Sequence, residues 1–140
     1  MINGIFGAFQ TDNDLEVSGR WFDFPANTDG TKPGFKLARM ADTNPKYLAG
    51  LEALQKELGR DIELDILTDA QARPHMRKLF VDTVLVEWRN IQDKDGRVME
   101  YSKEQATQLL TALPDLYRVL VTEAQKMTNY RNAALVTVSE

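Results

Sequence analysis

The sequence predicts an α+β fold: a single, mostly helical domain of four to five helices with a β-hairpin at its amino-terminal side. Three observations predict it. Apolar and polar residues alternate with a period of two over residues 15–23, and residues 35–40 carry a second short strand signal. From Tyr47 onward the apolar residues recur instead at three- and four-residue steps. The helical stretches are punctuated by residues that start or stop helices: Asn44-Pro45, Gly59, Ser102 and Pro114.

The bulk properties fit this class. A chain of 140 residues suits one domain able to bury about two-thirds of its unfolded surface. A composition 43% hydrophobic and 27% charged is that of a globular protein. The net charge of −4 argues against nucleic acid as the main partner, because neutralising phosphates takes a concentrated basic surface. The absence of cysteine excludes disulfides, thiolate metal sites and cysteine nucleophiles, and is compatible with the cytosol. No apolar run approaches the roughly 20 residues of a membrane helix, so no membrane partner is expected. Residues 1–10 lack the positive flank of a secretory signal and read as retained. The chain thus divides into an apolar arm (1–14), one domain (15–132, with the hairpin in 15–40 and helices in 44–130) and a short tail (133–140).

Taken in order, the arm holds Ile2, Ile5, Phe6 and Phe9 without a clean period. It packs either on its own domain or on a neighbouring subunit, since large exposed apolar groups invite aggregation. Leu15, Val17, Gly19, Trp21 and Asp23 alternate with Glu16, Ser18, Arg20 and Phe22, which predicts the first strand. The turn-rich loop from Pro25 to Gly34 leads to the second. A lone hairpin is marginal in water, so it must lean on the helices or gain strands from the arms or another subunit. Trp21 and Phe22 face opposite sides; both rings are covered within the monomer, or one is an exposed partner anchor.

Asn44 caps a helix with Pro45 in its first turn, and Tyr47, Leu51, Leu54 and Leu58 form its inner stripe before Gly59. Residues 61–67 alternate apolar and acidic, which suits strand or helix; a short helical or irregular link fits the helices on either side. Thr68 or Asp69 caps the next helix, where Pro74 belongs to the first turn or makes a kink. Met76, Leu79, Phe80, Thr83, Val84, Trp88 and Ile91 share one helical face, widened by Leu85 and Val86, so one long helix buried on two sides is expected up to Ile91. Asp93-Lys94-Asp95-Gly96 is a turn. Ser102 to Gln105 reads as a capping box for a helix with Ala106, Leu109, Leu110 and Leu113 inward. Pro114 ends that helix and opens the last, whose inner face is Leu116, Leu120, Ala124 and Met127.

No catalytic, cofactor or metal constellation emerges. His75 is the lone histidine and has no acid, nucleophile or co-ligand at a useful spacing. Asp93-x-Asp95-Gly96 is too short for a calcium loop, with Gly96 too early and Ser102 where the bidentate glutamate belongs. Asp12 and Asp14 have no substrate cleft, no G-x-S-x-G stretch exists, and the segment 68–90 lacks the basic face of a DNA-reading helix. Trp88 reads as core or as a subunit contact. The candidate partner-binding residues are therefore the large apolar groups Ile5, Phe6, Phe9, Trp21, Phe22 and Trp88.

An ordered series of short motifs carries a family resemblance. Val84 to Ile91 with Glu87-Trp88 within it, Asp93-Lys94-Asp95-Gly96, Tyr101-Ser102, Gln105-Ala106, Leu109-Leu110, Pro114-Asp115-Leu116, Val121, Ala124 and Asn129-Tyr130 follow one another. Upstream stand Gly19-Arg20-Trp21, Phe35 to Arg39, and Asn44-Pro45-Lys46-Tyr47. Over roughly residues 15–132 this series resembles the tail assembly chaperones of tailed bacteriophages; Tyr130 departs from the phenylalanine of many members. The resemblance implies a non-enzymatic protein of the host cell cytoplasm, without cofactors. Such a protein binds the tape-measure protein, helps recruit tail-tube protein during tail morphogenesis, self-associates as a homo-oligomer and leaves the finished particle. The alternative is a structural subunit of the virion, in the neck or tail.

Overall fold

The computed structural model describes residues 4–131, so Ile2 and the tail at 133–140 lie outside the described residues. It is an α+β domain with, among the described residues, seven α-helices and one three-stranded sheet. Four helices have 10 to 15 residues: α3 (Pro45–Glu57), α5 (Asp69–Thr83), α6 (Lys103–Ala112) and α7 (Pro114–Gln125). Three are single turns: α1 (Gly4–Phe9), α2 (Asn13–Ser18) and α4 (Gly59–Glu63). A 3-10 turn, Met127–Tyr130, follows α7.

The strands are β1 (Arg20–Asp23), β2 (Gly34–Leu37) and β3 (Leu85–Arg89), antiparallel in the order β1-β2-β3. The hairpin thus gains its third strand from the middle of the chain, from residues expected to continue the long helix. That helix stops at Thr83. A β-bulge explains the difference: Lys36 pairs with Glu87 but Leu37 with Leu85, which leaves Val86 as an extra residue. Leu85 and Trp88, three positions apart, therefore both face the core, a spacing that in sequence imitates a helix.

The first strand is also shorter than expected. Residues 13–18 form α2, because the Asp12 carboxylate accepts the amides of Asp14 and Leu15 and caps a turn there. Gly19, at φ +97°, then turns the chain into β1. At α5 the capping box is Thr68 with Gln71, which places Pro74 inside the helix, past its first turn.

Asp93-Lys94-Asp95-Gly96 is a hairpin turn. The Asp93 carboxylate accepts the amides of Asp95 and Arg97, and Gly96 adopts φ +80°. This brings Met99 back to β3, where its carbonyl accepts the Trp88 indole N–H at 2.9 Å.

One face of the sheet is core. Phe22, Phe35 and Trp88 stand in one cross-strand row, and the rings of Phe24, Phe35, Trp88 and Tyr101 meet edge to face in series at 5.8, 6.2 and 5.3 Å. On the other face, Asp23 of β1 and Arg89 of β3 form an ion pair at 3.0 Å across β2. They reach each other because Gly34 lies between them in the register; a Cβ there would stand 2.3 Å from the Asp23 carboxylate.

Helices α3 and α5 pack closely at Gly50, where a Cβ would meet Leu79 at 2.7 Å and Thr83 at 3.2 Å. Gly50→Val therefore wedges α3 from α5; a loss of about 2 kcal/mol in urea denaturation is expected.

Two buried polar groups fasten α2 and the turn at Tyr130 to the end of β2 and the connection after it. The Tyr130 hydroxyl lies 3.1 Å from the carbonyls of both Leu37 and Ala38, and its own carbonyl accepts the Asp12 amide. Glu16, fully buried, accepts from Thr11 at 2.6 Å, from Arg39 at 3.0 Å and from Thr43. Burial pushes its carboxyl up, but the bonds from Thr11, Thr43 and Arg39 outweigh that and hold it below the ordinary 4.5. Glu16 thus binds fewer protons folded than unfolded, so its contribution is complete above the ordinary value and is lost as pH falls through the lower folded one. Glu16→Gln should cost about 2 kcal/mol at neutral pH. In denaturant titrations over pH, the variant should show a shallower loss of stability than the parent below pH 4.5.

Candidate functional site

Two apolar surfaces stand out. The first is α1, where Ile5, Phe6 and Phe9 are 73%, 71% and 62% exposed. At one- and four-residue offsets they share one side of the helix. The helix does not float free, since Arg131 donates to the Ala8 carbonyl at 2.6 Å. Three large apolar side chains are thus held out from an anchored turn.

The second is a groove of about 390 Å³ between α3 and α5. Gly50, Ala53, Leu54 and Leu79 line its apolar part, and Glu57, His75, Lys78 and Asp82 its polar part. Lys78 is bound to Asp82 at 2.7 Å, one helical turn away, and Asp82, through its hydrogen bond and its charge, raises the lysine's pKa. His75 also lines an adjoining depression of about 320 Å³ with Leu58, Asp61, Ile66, Leu67 and Gln71, so the concave surface extends from the α3–α5 contact to the turn after α4. Apolar walls with a charged margin suit an amphipathic helix.

The six residues singled out from the sequence do not converge on one site. Ile5, Phe6 and Phe9 form the exposed side of α1. Trp21 is on the outer face of the sheet, half-buried, with the Arg89 guanidinium 4.1 Å over its ring. Phe22 points to the opposite face, packed against the core, and Arg20 covers its ring at 5.5 Å.

Of its two readings, core or subunit contact, Trp88 takes the first and is not an exposed anchor. It is only 6% exposed, its ring is enclosed by Phe35 and Tyr101, and its N–H is bonded to Met99. The groove residues Gly50, Leu54, Glu57 and His75 were not among the candidates. Gly50 was the available signal: glycine inside a helix costs about 1 kcal/mol against alanine and marks a close approach of another element.

Among the described residues no group of three or more His, Cys, Asp or Glu could hold a metal ion. No helix among them is long and apolar enough to cross a membrane.

Comparison with known proteins returns one family. No curated protein and no solved structure matches the chain. The model of the YdaY prophage protein family matches residues 42–140, from just before α3 through the helices that form the groove and on past the Tyr130 turn. The chain therefore belongs to the YdaY prophage protein family and is phage-derived.

Proposed function

We propose that this phage-derived protein is a tail assembly chaperone. It works without enzymatic chemistry in the host cell cytoplasm, binding the tape-measure protein and helping to bring tail-tube subunits to it as the tail forms. The observation that carries the reading is the pair of apolar surfaces: an anchored helix with three large side chains in solvent, and a groove of about 390 Å³ between α3 and α5. The motif series from Val84 to Tyr130 and the prophage family support it.

The two surfaces divide the work. Burying a large apolar side chain contributes about 2 kcal/mol, so Ile5, Phe6 and Phe9 together can drive reversible association of copies. The groove accepts the apolar face of a helical client. Neither step needs a nucleotide, because exchange among apolar contacts is governed by concentration and by competition with the growing tail.

Co-expression with the tape-measure and tail-tube proteins, followed by pull-down and sedimentation, tests the reading. The expected result is retention of the tape-measure protein and self-association that Phe6→Asp with Phe9→Asp abolishes, while circular dichroism stays unchanged. A monomer that never retains the client overturns it. Mass spectrometry of purified particles separates the alternative: a chaperone is absent or far below stoichiometric, whereas a structural subunit of neck or tail is present at full occupancy.

A further inference from the structure

The two sides of the domain's chain path meet at one point. The Asp12 amide donates to the Tyr130 carbonyl at 2.6 Å, and the Arg131 guanidinium donates to the Ala8 carbonyl at 2.6 Å. Arg131 is the last described residue, so the chain passes on to residues 132–140 within one arginine side chain of α1. At that place Ile5, Phe6 and Phe9 stand out into solvent from a helix of 6 residues. Three large apolar groups and the start of the carboxy-terminal segment are therefore neighbours.

The sequence after Arg131 matches that surface in chemistry. It continues Asn132-Ala133-Ala134-Leu135-Val136-Thr137-Val138-Ser139-Glu140, apolar at most positions and with Glu140 as its one charged side chain. From Ile2 to Thr11 there is no charged side chain either, so bringing the two segments together strips water from no ion. The reach is sufficient. Leu135 is separated from Arg131 by at most about 14 Å of chain, and α1 is about 9 Å long. A segment tethered so closely meets α1 at an effective concentration on the order of millimolar, far above that of a separate copy in dilute solution.

We propose that the apolar side of α1 is a docking surface for this chain's own residues 133–138, with Leu135, Val136 and Val138 supplying the contacts to Ile5, Phe6 and Phe9. Removal of apolar surface from water provides the attraction, and the short tether favours the chain's own segment over that of a neighbour. Copies that gather through α1 must then displace this segment, which raises the concentration at which they associate. That consequence rests on the reading of α1 as the self-association surface of a chaperone; the contact itself does not.

The chain has no cysteine, so an introduced pair reports its own contact and no other. In dilute solution of the full chain, mild oxidation of Ile5→Cys with Val136→Cys should give an intramolecular disulfide, identified by mass spectrometry of the monomer. The comparison pair, Leu64→Cys with Val136→Cys, places the first cysteine at an exposed position after α4 and should stay reduced. Equal cross-linking of the two pairs, or an Ile5 pair that links only between copies, overturns the proposal. Sedimentation over a range of concentrations gives a second readout. Leu135→Asp with Val136→Asp should lower the concentration at which copies associate by about tenfold, with circular dichroism unchanged. If the variant associates less readily than the parent, the segment reaches a neighbouring copy; if association is unchanged, it does not occupy α1. Either result overturns the proposal. If neither parent nor variant associates at all, the self-association reading falls, while the cysteine pairs still decide the contact.

Discussion

The structure depends on the enclosure of α5 at its C-terminal end. Leu79, Phe80 and Val81 are consecutive, yet they are 6%, 0% and 1% exposed. Consecutive helical residues point about 100° apart, so three buried in a row require neighbours around most of the circumference. Helix α3 comes in at Gly50, α6 packs from another side, and the Phe80 ring meets Tyr117 of α7 edge to face at 5.4 Å. The chain then passes through Val84, with no exposed surface, directly into β3. With one residue between helix and strand, the sheet can only lie against the helix it has just left. The Val84 carbonyl accepts the Ala38 amide, which ties the end of β2 to the same point.

The periphery is fastened to this centre by polar bonds made in apolar surroundings. Tyr130 is fully buried, and desolvation pushes its phenol well above the usual tyrosine range, so it stays a neutral donor to the end of β2. Through its own carbonyl it also holds Asp12, the cap of α2. Glu16 then joins α2 to Arg39 and Thr43, both within the β2–α3 connection. The amino-terminal segment is in this way locked at α2, and Arg131 restrains α1. Apolar groups projecting from a restrained helix are a surface with a shape, which a loose arm would not be.

A division of labour follows for the phage-derived protein we propose to be a chaperone. Its apolar arm and its groove belong to different elements, so copies can gather through one while a client occupies the other. The groove owes its floor to Gly50, which lets α3 and α5 approach. The outer face of the sheet takes the opposite course: Trp21 is covered by Arg89, and Arg89 is held by Asp23 across Gly34. An aromatic ring covered in this way is the less available anchor, although its alternating strand made it prominent in the sequence.

The sequence by itself determined the class of the fold, the starts of α3, α6 and α7 and the loop between the first two strands. Asn44, Ser102 and Pro114 act through their own backbone within one turn, and such local chemistry is readable without knowing the neighbours. The apolar arm was legible for the same reason, since Ile5, Phe6 and Phe9 lie close together in a short segment without a polar face. Only the tertiary structure decided that Leu85 to Arg89 is a strand. Its bulge puts Leu85 and Trp88 on one face at helical spacing, and the choice was made by hydrogen bonds to β2, far earlier in the chain. The same limit hid the groove: Leu54 and His75 are unremarkable on their own helices, and they become two walls of one cavity because Gly50 brings those helices together. Periodicity reports which side of an element is apolar. Which partner covers that side, or whether any does, is settled by pairings between distant parts of the chain, and those depend on geometry that no local pattern contains.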